Sequence, residues 1–114
     1  MKILLKRVYE TPVKSDGCRV LVDRLWPRGL GKKKARIDLW LKDIAPGTPL
    51  RQWFAHEPQK WPEFKKRYFR ELAGKSAAVK QLRSLARNGT VTLVFAAKDE
   101  KYNNAVALKQ YLNR

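Results

Sequence analysis

The chain has 114 residues, 44% of them hydrophobic, which excludes a disordered basic tail and leaves room for one folded domain over 1–114. Its 26 Lys and Arg against 10 Asp and Glu give +16, and residues 1–36, with 11 basic and 3 acidic residues, carry +8 of that, so the surface attracts polyanions, nucleic acid foremost. One cysteine leaves no internal disulfide, and no apolar run approaches the ~18 residues needed to cross a bilayer, so the expected setting is the cytoplasm with no membrane partner.

Residues 2–9 read as a first strand and Ser15-Asp16-Gly17 as a turn. Cys18 to Asp23 reads as a second strand, with consecutive Val20, Leu21 and Val22 suited to burial on both faces. Residues 10–17 are fewer than a parallel crossover usually needs, so spacing alone predicts a hairpin. Lys32, Lys33, Lys34 and Arg36 surround Ala35 in a mobile basic loop. Ile37, Trp40, Leu41 and Ile44 fall at i, i+3, i+4 and i+7, which predicts a helix ending at Pro46-Gly47. Thr48 is placed to cap the next helix, with Pro49 at its first position and Leu50, Trp53 and Phe54 inward.

A longer helix starts near Pro62 with Trp61, Phe64, Tyr68 and Leu72 on one face, and Gly74 closes it. Ser76 starts another, carrying Val79, Leu82, Leu85 and Ala86 and stopped by Asn88-Gly89. Thr90 to Ala97 is the clearest strand, and after a charged loop Asn103 or Asn104 caps a last helix with Ala105, Leu108 and Leu112 inward. Strands near both ends with helices between them indicate an α/β layered domain.

Ligands of open α/β sheets sit beyond the C-terminal ends of the strands, which directs attention to two loops. One holds Asp23, Arg24, Trp26 and Arg28; the other starts at Lys98 and leads to Asn103 and Asn104. Arg7, ending the first strand, is placed to join them. Arginine forks bind phosphate or carboxylate bidentately, and free amides at a helix start favour anions, so the convergence predicts an anion site. The plainer alternative pairs Asp23 with Arg24 or Arg28 and uses Trp26-Pro27 as a core plug. A carboxylate beside two arginines is expected to have a depressed pKa. The exposed run of Lys32, Lys33, Lys34 and Arg36 is the candidate nucleic-acid contact.

Other chemistries are set aside. One histidine and one cysteine cannot form a Cys/His zinc site, and no glycine-rich phosphate loop occurs, so no metal or cofactor is expected. Cys18 begins an apolar strand and reads as a buried, inert thiol, and His56 as a polar residue at a helix end.

The strings Lys6-Arg7-Val8-Tyr9, Asp16-Gly17-x-Arg19-Val20-Leu21-Val22-Asp23-Arg24-Leu25-Trp26-Pro27-Arg28-Gly29, Leu50-Arg51-x-Trp53-Phe54-x-His56 and Leu93-Val94-Phe95-x-Ala97-Lys98 together resemble the YeaO-like branch of the bacterial domain-of-unknown-function family DUF488. The resemblance covers almost the whole chain. It implies a small three-layer α/β domain with a short, mainly parallel sheet flanked by helices, against the hairpin. It also implies a pocket shared through Arg24, Trp26, Arg28 and Lys98, but no assigned reaction. Other branches carry Cys-His-Arg where this chain has Asn103-Asn104-Ala105, so their thiol chemistry does not transfer. The expected function is binding of a phosphorylated ligand, nucleic acid or nucleotide, at a basic pocket. The alternatives are a small enzyme on such a substrate, with Asp23 as acid or base, and a basic subunit that meets an acidic protein.

Overall fold

A computed structural model describes residues 1–114 and builds them around four parallel strands in the spatial order β1-β4-β2-β3. The strands are β1 (Ile3–Arg7), β2 (Cys18–Leu21), β3 (Leu39–Trp40) and β4 (Val91–Phe95). The helices are α1 (Lys32–Ala35), α2 (Thr48–Phe54), α3 (Trp61–Ala73), α4 (Ser76–Arg87) and α5 (Asn104–Leu112). This is an α/β fold with a wholly parallel sheet. All five residues of β4 are buried, as expected of a central strand covered on both faces.

The predicted hairpin does not form. β4 lies between the first two strands, with both Ile3 and Cys18 opposite Val91. The ten residues from Val8 to Gly17 reach roughly 33 Å when extended, about twice the length of a five-residue strand, so no crossover helix is required. The connection is fastened to the sheet as it passes: Thr92 Oγ1 donates to the Asp16 carbonyl at 2.7 Å, and the Cys18 amide donates to the Thr90 carbonyl at 2.9 Å. Gly17 adopts φ +65°, and a Cβ there would lie 2.3 Å from the Thr90 oxygen. Only glycine fits that crossing.

One face of the sheet packs against the helices. Val91, Leu93, Phe95, Ile3 and Val20 join Phe64, Tyr68, Leu72, Leu82 and Leu108 in a core of 20 buried residues. The opposite face is covered thinly, by the 8–17 connection and α1, around Val8, Ala35 and Val94 with Trp26 and Leu30 against them. Within this third layer Arg19 is 3% exposed and donates to the Asp16 carboxylate at 2.7 Å and to the Ala35 carbonyl at 2.8 Å. Lys6 adds a second ion pair to Asp16. The segment expected as a mobile loop is therefore a pinned helical turn, with Ala35 buried and Lys32, Lys33 and Lys34 exposed.

The helix expected over 37–44 is also absent. The Arg19 amide donates to the Asp38 carboxylate at 2.8 Å, and the Leu41 amide donates to the Leu21 carbonyl at 3.0 Å. The open edge of β2 captures this segment as β3, because its backbone groups need partners. A 3-10 turn, Lys42–Ile44, follows. Ile44 still reaches the core, which is how an extended segment imitates helical spacing. The four helices from Thr48 onward form as expected, with small shifts. Gly47 rather than Thr48 is the N-cap of α2, its amide held by Glu71 at 2.8 Å, and Lys75 precedes α4. Asn103 caps α5 by accepting from the Val106 amide. Cys18 is half-buried rather than sealed in the core. No helix is long and apolar enough to cross a membrane.

Candidate functional site

β2 and β4 both deliver the chain to the same end of the sheet, and the two loops leaving them face one cleft of about 290 Å³. Asp23, Arg24 and Arg28 line it together with Ala96 and Ala97. Arg51 and His56, from α2 and the turn after it, and Asn104 from the start of α5 close the remaining sides. Arg51, His56 and Asn104 also line an adjoining hollow of about 280 Å³, so the two form a continuous depression.

Asp23 is the fixed point of the floor. Its Oδ2 accepts from the Ala96 amide at 2.9 Å and its Oδ1 from Asn104 Nδ2 at 3.2 Å. Trp40 Nε1 donates to its backbone carbonyl at 2.8 Å. The side chain thus ties the end of β2 to β4 and α5. Burial raises its carboxyl above the ordinary aspartate value, despite those hydrogen bonds and the attraction of Arg51. The expected depression is overturned, because neither Arg24 nor Arg28 pairs with this carboxylate.

None of the cleft arginines forms an ion pair. The protein has four ion-paired contacts, Lys6 and Arg19 with Asp16, Lys60 with Glu57, and Arg67 with Glu63, and none involves Arg24, Arg28 or Arg51. Arg24 Nε is buried and has no hydrogen-bond partner. A buried donor left so costs about 1–3 kcal/mol, which makes its retention in a cleft informative. Its charge is also close enough to Lys75 to add to the burial that lowers that ammonium's pKa.

The remaining expected residues divide. Arg28 is exposed at the rim, and its carbonyl accepts from the Tyr9 hydroxyl at 2.9 Å. Trp26 lines the cleft but donates its indole N–H to the Leu30 carbonyl and meets Trp40 edge-on at 5.5 Å, so it also serves as the core plug. Lys98 stands exposed beside His56 and Asp99, outside the cleft proper. Arg7 turns away: its guanidinium donates to the Ala96 and Ala97 carbonyls and holds the end of β4. Asn103 is buried, with its oxygen on Val106 and its amide on the Asp99 carbonyl, and so stabilises the start of α5. Lys33, Lys34 and Arg36 border a separate groove, with Lys32 exposed on the same turn.

Two cleft residues escape the sequence reading. Arg51 lies on the outer face of α2, where its spacing marks it only as solvent-exposed. His56 does sit at a helix end, but Ala55 (φ +45°) and His56 (φ +56°) are both left-handed. Two such non-glycine residues in succession are rare and strained, and here they turn the chain so that His56 lines the cleft.

No solved structure matches the chain. Uncharacterised proteins of Mycobacterium tuberculosis and Mycobacterium bovis are each 43% identical over 112 residues, covering 98% of this chain and 94% of the relative. The uncharacterised protein YeaO of Escherichia coli is 41% identical over 112 residues, covering 98% of this chain and 97% of YeaO. The family model described as the inactive DUF488-N3 subclade matches residues 2–114, and the chain belongs to that family.

Proposed function

We propose that the cleft binds a phosphorylated ligand, a nucleotide or the backbone of a nucleic acid, and that it does so without catalysis. The observation that carries this reading is the set of three arginines, Arg24, Arg28 and Arg51, around one cleft with no carboxylate partner. Three guanidiniums gathered around the single, already hydrogen-bonded carboxylate of Asp23 repel one another, and a bound phosphate relieves that repulsion while accepting their hydrogen bonds. The volume suits a small ligand, since each hollow, about 280 and about 290 Å³, lies just below the ~300–1,000 Å³ range of small-molecule sites and the two adjoin.

Binding is favoured over catalysis by the state of Asp23. Both carboxylate oxygens already accept hydrogen bonds from the protein, so the group is committed to holding β2, β4 and α5 together. The description of the family as inactive agrees with that reading. Titration calorimetry with inorganic phosphate and pyrophosphate tests the proposal. Arg51, exposed on α2, can be removed with little effect on the fold. Arg51→Ala is expected to weaken pyrophosphate binding by about 10- to 150-fold, the worth of one charge-assisted hydrogen bond. Absence of binding by the unaltered protein at ~50 mM salt would overturn the reading and favour a basic face that meets an acidic protein.

A further inference from the structure

We infer that the ligand is single-stranded nucleic acid, held along a path from the arginine cleft across Tyr9 into the groove beside α1. The inference rests on the proposed phosphate binding and adds the ligand's class and a second contact region. Tyr9 is common to both depressions: it lines the cleft with Arg24, Arg28 and Arg51, and a groove of about 470 Å³ with Lys33, Lys34 and Arg36. It is one of the few large apolar side chains left open to solvent, 46% exposed.

The ring is also held in place. Its hydroxyl donates to the Arg28 carbonyl at 2.9 Å, and the Arg7 guanidinium lies 5.3 Å from its centroid. Arg7 is itself fixed by the Ala96 and Ala97 carbonyls. A flat aromatic surface that is exposed and oriented has already met the ordering cost of stacking a planar ligand. Six cations flank it along the two depressions, against two carboxylates, Asp23 and Glu10. Both carboxylates are engaged, Glu10 by the Arg7 amide at 3.0 Å and Asp23 by Ala96 and Asn104. Cations on either side of an aromatic face match a strand whose phosphates alternate with unstacked bases. A duplex offers phosphates but keeps its base faces covered, so it cannot use Tyr9.

The test compares three probes: inorganic phosphate, a labelled oligothymidylate of about six nucleotides, within the ~4–16 that single-strand sites cover, and a hairpin duplex. The single strand is expected to bind at least tenfold more tightly than the duplex. Tyr9→Ala should weaken the single strand by about 5- to 150-fold, the worth of one stacked base, and by far more than it weakens phosphate. Tyr9→Phe keeps the ring and should retain most of the affinity, which separates stacking from a loosened loop. Lys33→Ala with Lys34→Ala should lower the single-strand salt slope by about 1.4, at about 0.7 per phosphate contact. That pair should leave phosphate binding in the cleft unchanged.

If phosphate binds through Arg51 but Tyr9→Ala affects phosphate and oligonucleotide equally, the path is wrong and the cleft stands. Duplex binding as tight as single-strand binding would overturn the inference in favour of backbone contact alone. Oligonucleotide binding without any phosphate binding would remove the cleft, and with it one end of the path.

Discussion

Arg24 offers a direct test because its removal should weaken binding while leaving stability nearly unchanged. Its Nε is buried without a partner, it has no carboxylate within 4.0 Å, and its charge opposes that of Lys75. Arg24→Met keeps the apolar stem while removing the orphaned donor and the charge. Relief of that donor, about 1–3 kcal/mol, offsets the packing and solvation lost with the guanidinium, so the unliganded variant should lie within about 1 kcal/mol of the parent. Unfolding 114 residues releases about 240 cal/mol/K, so each kcal/mol moves the midpoint by roughly 4 °C. Pyrophosphate at 100 times its Kd should stabilise the parent by about 2.7 kcal/mol and raise its midpoint by about 11 °C. Weakening by about 10- to 150-fold leaves the variant about 0.3–1.4 kcal/mol of that at the same concentration, a rise of about 1–6 °C. Differential scanning calorimetry with and without ligand reads both quantities. An unliganded midpoint lowered by more than about 8 °C, together with a full ligand response, would make Arg24 scaffold and refute its place in the site.

Asp16 should govern acid stability. Burial raises its carboxyl, but hydrogen bonds from the Val13 amide, Lys6 and Arg19 outweigh that and hold it below its ordinary value. A carboxyl lowered in the folded state stabilises above its unfolded value, and that contribution fades as pH falls through the folded value. Asp16→Ala should therefore flatten the acid limb of a stability–pH curve and cost about 3–5 kcal/mol at neutral pH by stranding Arg19, as urea titrations would show. An unchanged acid limb would contradict the role assigned to this network. Cys18 should react slowly with a disulfide reagent in the folded protein, since burial first, and then Asp38, push its thiol upward. Labelling as fast as in urea would show an accessible thiolate.

Local rules account for much of this molecule. The apolar run of β4 and the stripes of α3 and α4 identify those elements from residues near one another in the chain, and the Asn103 cap is set within three residues of Val106. The concentration of cations in the first third is likewise a property of composition. Tertiary structure decided what depends on distant partners. The insertion of β4 between β1 and β2 joins residues 88 and 73 positions apart, such as Ile3 with Val91 and Cys18 with Val91, and no local spacing could have reported it. The pairing of Leu39 and Trp40 with Val20 and Leu21 overrode a helical pattern because the open edge of β2 needed partners. The site was half legible. Asp23, Arg24 and Arg28 lie in one loop, but Arg51 and His56 enter only through the fold of α2 and the left-handed turn after it. Even the direction in which the Asp23 carboxyl shifts was decided at a distance. Adjacent arginines suggested a depressed pKa, whereas burial in the assembled fold raises it, against the hydrogen bonds from Ala96 and Asn104, more than 70 residues away.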